Sequence, residues 1–154
     1  MNLDVVRSKP KPIRAPKEKK PVVKASSRGS LITKAHAVMR DIVLDRDLKC
    51  VCPVPPAKGH TATRQAGHII TSTKGSVRFD LYNVHEQCSG CNQRHINFQH
   101  YYIDWFLEKF GQGEYHRLVY EADNGKPLKT YELEELIVQL GKIRNKQLAD
   151  MLVG

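Results

Sequence analysis

Apolar residues recur at helical spacing in three stretches, and between the first two the pattern breaks into short, irregular runs. Leu31, Ala35, Val38 and Ile42 share one face, widened by Ile32, Met39 and Val43. With Ser30 as N-cap, they predict a helix to about residue 47. Helical spacing returns near Asn97, sets Ile103, Phe106, Leu107 and Phe110 on one face, and stops at Gly111. A last helix is predicted from after Thr130 to about Leu148, with Leu133, Leu136, Ile137, Leu140 and Ile143 as its seam. Glu132, Glu134 and Glu135 suit the positive end of its dipole.

The middle reads differently. The run CPVPPAKG, residues 52–59, has three prolines and a glycine and predicts a loop. QAGHII and VRFDLYNVH then predict two short strands joined by a turn through Lys74, Gly75 and Ser76. Before residue 30, Pro10, Pro12, Pro16 and Pro21 stand among lysines with almost nothing to bury, which predicts a disordered arm. No internal repeat is visible. The expected organisation is a disordered basic arm over 1–29, a core over 30–112 and a C-terminal helical extension over 113–154.

Charge narrows the partner. The 154 residues carry 25 Lys and Arg against 16 Asp and Glu, a net charge of +9. Such an excess favours a polyanion, because each base set against a phosphate releases condensed counterions. Arg7, Lys9, Lys11, Arg14, Lys17, Lys19, Lys20, Lys24 and Arg28 gather in the arm, opposed only by Asp4 and Glu18. A solvated tail without a specific role is the plainer reading; tethering to nucleic acid is the sharper one. No stretch approaches the ~20 apolar residues that span a bilayer, and no apolar run marks a signal peptide. The chain is therefore expected in a reducing cytoplasm and not in a membrane. There its four cysteines serve as metal ligands or free thiols more readily than as disulfides.

The cysteines form a frame. Cys88 and Cys91 make a C-x-x-C knuckle, whose turn lets two thiolates converge on one tetrahedral ion. Cys50 and Cys52 make a tighter C-x-C pair upstream, and together they form a four-thiolate zinc site. If one thiolate of that pair points away, His60 is near enough along the loop to substitute. The middle of the chain has few large apolar residues, and a structural zinc supplying on the order of 10 kcal/mol would staple it. Four protein ligands leave no open position, so this zinc is structural.

Polar residues crowd the frame: His68 in the first strand, Asn83 and His85 in the second, Asn92 directly after the last thiolate, and His95 one turn on. Singly, a strand histidine is commonly structural and an asparagine after a knuckle is commonly a helix cap. Together around two cysteine pairs they suggest an α+β, ββα-metal (HNH-like) nuclease core flanked by helices. A histidine titrating near neutrality suits a base that activates water. The Asn92 amide oxygen suits a hard Mg²⁺ or Mn²⁺.

The stretches RDLKCVC, AGHI and VRFDLYNVHEQCSGCNQ, with the following Asn97, resemble the NinG family of lambdoid phages, also called Rap. The likeness covers about residues 31–111 and, more loosely, the terminal helix. It implies a recombination endonuclease that cuts branched DNA, including Holliday junctions and D-loops, in phage homologous recombination. It further implies His68 as general base, Asn83 as an orienting residue and Asn92 as a ligand of the catalytic ion. His85 lies inside the shared motif with no role assigned. Three departures stand out. The first cysteine pair is C-x-C where the family has C-x-x-C. Gly67 stands where many HNH sites carry Asp or His, which leaves the second ion ligand to His95, Asn97 or a water. The spacing from Asn92 to Asn97 is one residue short.

Lys74, Arg78 and Arg94 flank the expected site and would position phosphates without reading sequence. Nothing resembles a recognition helix, so recognition of DNA shape is expected. Two symmetric cuts at a junction suggest a homodimer on branched double-stranded DNA. The competing expectations are a non-catalytic, zinc-stabilised DNA-binding accessory protein and, more remotely, an RNA-binding knuckle.

Overall fold

The computed structural model describes residues 26–53, 60–93 and 95–153, apart from the side chains of residues 95–98. Most of the expected arm, residues 1–25, lies outside them. Helix α1, Arg28–Asp47, is capped by Ser27, whose hydroxyl accepts the Ser30 N–H at 3.2 Å. It thus begins before Ser30, the expected cap, because its first turn carries no apolar residue for periodicity to register. The expected stripe is buried, with Ala35, Met39, Ile42 and Val43 all at 1% exposure or less. The helix ends where Leu48 turns left-handed, at φ 62°, and returns its N–H to the Leu44 carbonyl.

Strands β1, Arg64–His68, and β2, Val84–Cys88, pair antiparallel in a two-stranded sheet, with Gly67 opposite His85 and His68 opposite Val84. The second strand is shorter than VRFDLYNVH suggested. Residues 77–83 are turns, held by bonds from Val77 N–H to Lys74, Asp80 N–H to Val77 and Asn83 N–H to Asp80 carbonyls. Val77 and Phe79 alternate like strand residues because both anchor this loop in the core. Asn83 clamps it. Fully buried, it accepts the Ile70 N–H at 2.7 Å and donates to the Ile70 and Val77 carbonyls at 3.0 and 2.9 Å. Asn83→Ala strands those backbone groups, at about 1–3 kcal/mol per buried unsatisfied group. A thermal melt should show a loss of about 3 kcal/mol, and a loss under 1 kcal/mol would show that water replaces the amide.

Helix α2, Ser89–Gln93, carries the knuckle, and α3, His95–Asn124, follows it. Gly111 interrupts α3 with φ 82° and ψ 164°, where the sequence places a stop. The chain then turns helical again and buries Leu118 and Ala122, ahead of the helix expected after Thr130. Helix α4, Thr130–Val153, packs along α1 through Leu133 and Leu140, and Glu132 bonds back to the Lys129 N–H at its start.

The result is a mixed fold, dominated by helix around a small sheet, with two cores. One holds Tyr102, Phe106, Leu118, Ile69 and Val77 around the cysteines. The other joins α1 and α4 with Val84 and Phe79. Each fully buried side chain of this size contributes about 1.5–3 kcal/mol. The sheet is the wall between the cores, so its two faces meet different chemistry.

Candidate functional site

Three hydrogen bonds gather the cysteine frame. Val51 N–H bonds to the Glu86 carbonyl at 2.8 Å, laying the segment after α1 beside β2. Ser89 N–H bonds to the Thr63 carbonyl at 2.8 Å, and the Thr61 hydroxyl accepts the Gly90 N–H at 3.1 Å. These contacts bring one donor atom each from Cys50, His60, Cys88 and Cys91 within 4.8 Å of one another. His60 Nδ1 lies 3.5 Å from Cys88 Sγ and 3.7 Å from Cys91 Sγ. A tetrahedral zinc about 2.3 Å from sulfur and about 2.0 Å from imidazole nitrogen separates its ligands by roughly these distances. Three sulfurs and an imidazole fit that ion.

Of the four expected thiolates, three belong to this group and His60 holds the fourth place. Cys52 is buried at 3% exposure and packs in the core beside the cluster. Burial, with the charge of Cys50 adding to it, pushes its thiol up to about 11. Cys88 goes the other way. Burial opposes its ionisation, but the Thr61 and Cys91 backbone and the Cys91 and His60 side chains bring it down to about 6. Cys50 and Cys91 are raised, first by burial and then by neighbouring sulfurs. A zinc ion would supply the positive charge these crowded thiolates lack.

On the side of the hairpin toward α1, His68 and Asn92 line one open cavity of about 270 Å³ with Ala66, Thr71 and Ser72. His68 Nε2 lies 3.0 Å from the Arg78 carbonyl. A carbonyl only accepts, so Nε2 carries the hydrogen and Nδ1 keeps its lone pair. Burial lowers the pKa of His68. The Arg78 carbonyl pulls it up, and the charges of His36 and Arg78 push it down. Asn92 donates through Nδ2 to Gln65 Oε1 at 2.8 Å, which leaves its carbonyl oxygen as the acceptor of that side chain.

His36 was missed by the sequence reading. It projects from α1 with its ring centroid 6.1 Å from that of His68, packs on Phe79 at 4.8 Å, and has its own pKa lowered by burial and by Arg78. Its one signal was a polar residue beside Ala35 at the edge of the apolar stripe.

The other expected residues are scattered. His85 lies on the opposite face of the sheet from His68. Its ring packs against Trp105 at 4.8 Å and Phe110 at 5.3 Å. Arg46 donates to its Nδ1 at 2.7 Å and its Nε2 donates to the Tyr82 carbonyl at 2.9 Å, so both nitrogens are engaged. Asp47 Oδ2, at 3.6 Å from Nδ1, is too far to replace that bond. Burial opposes ionisation of Asp47, but bonds from Arg46 and the Glu86 N–H hold its carboxyl well below the usual range. Asn83 holds the loop behind the cavity and does not line it. Lys74 pairs with Asp123 at 2.9 Å, and Arg78 is fixed by its Nε donating to the Ser72 carbonyl at 2.6 Å. Arg94 and the side chain of His95 lie outside the described residues, as does that of Asn97.

Gly67, the departure beside His68, has a spatial reason. A Cβ there would meet Gln87 Oε1 at 1.9 Å, and the Gly67 carbonyl accepts the buried Tyr102 hydroxyl at 2.9 Å. Gln87 occupies the space a side chain would need.

The fold and the cluster define a small, basic α+β protein with a Cys and His group able to hold a metal ion. The family model described as Bacteriophage Lambda NinG protein matches residues 6–149, and the chain belongs to that family. Searches of curated proteins and of solved structures return no match. No described helix is long and apolar enough to cross a membrane.

Proposed function

We propose that this NinG-family chain is a metal-dependent, structure-selective endonuclease of ββα-metal type. Its substrates are branched recombination intermediates, Holliday junctions and D-loops, in phage homologous recombination. The observation that carries this reading is the shared cavity of His68 and Asn92, with the His68 tautomer fixed by the Arg78 carbonyl. The order of strand, strand and helix around the cysteine cluster agrees with it.

Each residue has a task. His68 accepts a proton at Nδ1 from the attacking water, and burial, which lowers its pKa, favours the unprotonated form this role needs. Asn92 offers its amide oxygen to the hard cation, and Arg78, which lines a separate cavity with Arg28 and Thr73, is the cation for a phosphate of the same strand. A bound Mg²⁺ or Mn²⁺ supplies charge stabilisation on the phosphate and the leaving oxygen. The zinc cluster carries no step and holds hairpin and helix together. Incubating a four-way junction with the protein and Mg²⁺ tests the reading, with paired nicks near the branch as the expected product. Two cuts imply two copies of the chain, and the exposed Val138, Leu148 and Met151 of α4 offer apolar surface for a homodimer in the host cytoplasm.

His36 tunes the base. His68 works only unprotonated, so a neighbour that lowers its pKa extends activity to lower pH. In His36→Ala that neighbour is gone, and the acid limb of the cleavage–pH profile should move to higher pH. An unmoved limb would show that His36 does not act on His68.

A second reading is a non-catalytic DNA-binding accessory protein. The observation favouring it is Gly67, which offers no side-chain ligand and whose Cβ position is filled by Gln87. Tight junction binding without nicking in Mg²⁺ or Mn²⁺ would select it.

A further inference from the structure

The face of the hairpin away from His68 carries a second site that the cleavage chemistry does not use. Two adjoining cavities, of about 540 and 340 Å³, share Arg46, His85 and Phe110 as a common wall and form one trough. Its lining combines the rings of Trp105, Phe110 and Tyr82 with Lys49 and Lys109, and the one carboxylate on it, Asp47, is neutralised by Arg46. Trp105 and Phe110 stand 5.8 Å apart around His85, and Tyr82, 49% exposed, meets Phe110 edge-on at 5.4 Å. The Trp105 indole N–H has no hydrogen-bond partner among the described residues. Lys49 and Lys109 edge the larger cavity, both exposed and neither paired with a carboxylate of a described residue.

The wall is rigid and already satisfied. Arg46 gives hydrogen bonds to both Asp47 oxygens, to the Leu81 and Val84 carbonyls and to His85. Arg46 is therefore no anion ligand. It fixes the His85 ring and the end of α1, and the two lysines are the charges left for an incoming group. Planar apolar faces, an unused indole donor and two unpaired cations match a flat heterocycle joined to phosphate. Base–aromatic stacking next to lysines is the common means of holding single strands without reading sequence.

We propose that this trough binds an unpaired nucleotide of the DNA substrate, its base against Trp105 and Phe110 and its phosphates on Lys49 and Lys109. The assignment rests on the reading that the substrate is branched DNA, whose strands part at the branch. The trough and the His68 cavity lie on opposite faces of one hairpin. An unpaired strand captured on one side would set which arm presents its phosphodiester on the other.

Trp105 is the sole tryptophan of the chain, so its fluorescence reports on this site alone. The zinc-loaded full-length protein would be titrated with a short, fluorescein-labelled oligothymidylate and, separately, with a blunt duplex of equal length. Label anisotropy reads total binding, including any through the basic arm, and indole quenching reads the trough. Saturable quenching by the single strand, absent with the duplex, is expected. Lys49→Gln with Lys109→Gln should weaken that quenching about tenfold or more while the melting temperature is kept. Binding by anisotropy without quenching, or equal quenching by the duplex, overturns the proposal. His68→Ala should quench like the parent. A protein that cuts junctions yet shows no quenching loses the trough and keeps the nuclease. One that quenches but never cuts loses the nuclease and keeps the trough.

Discussion

Stripping zinc from the purified protein is expected to abolish its cooperative melting transition. A site of this kind contributes about 10–16 kcal/mol, whereas whole domains retain only about 5–15 kcal/mol of net stability. The cluster ties the segment after α1 to the start of β1, the end of β2 and α2, so its loss releases four pieces of chain at once. Elemental analysis should give one zinc per chain. Cys88→Ser and Cys91→Ser should lose both metal and melting transition. Cys52→Ser is the discriminating variant. With His60 as fourth ligand it keeps its zinc, and the substitution costs only core packing. Should Cys52→Ser come out metal-free while His60→Ala retains a full equivalent, the ligands are four thiolates after all.

The second large effect concerns cleavage. His68→Ala is expected to lower the rate of junction nicking by about 10²–10⁴-fold, the usual contribution of a positioned base. Binding of the uncut junction should be unchanged, since the one hydrogen bond His68 makes among the described residues is to the Arg78 carbonyl. Asn92→Ala should share the loss, with partial recovery as Mn²⁺ is raised if the amide oxygen holds the ion. Parental cutting by His68→Ala would transfer the role of base to another group, His36 being an imidazole 6.1 Å away.

Local regularities were legible in the sequence and long-range geometry was not. The stripe of α1 and the seam of α4 were readable because 3.6-residue spacing survives any tertiary context. Cys88 and Cys91 were readable because both ligands sit on one turn. His60 was offered only as a substitute, since its place depends on how the loop before β1 closes. Residues 77–83 look like a strand because Val77 and Phe79 alternate, yet bonds three residues apart make turns of them. Gly111 and Gly113, among polar neighbours, thinned the periodicity beyond residue 111 and concealed the second half of α3. His85 and Arg46 stand 39 residues apart, and no local pattern announces their contact. His68 and Asn92 were paired by motif, and only the fold decides that they open onto the same space.

The bend at Gly111 reaches beyond its own helix. Its φ of 82° with ψ of 164° is backbone that essentially only glycine adopts, and nothing within 4 Å crowds it. An unbroken helix of 30 residues would be a rod about 45 Å long. Leu118 and Ala122 would then project into solvent, leaving Tyr102 and Phe106 uncovered. Two such rods could lend each other the missing halves and lock into an exchanged pair. A missing side chain at one position is thus what lets each copy close upon itself.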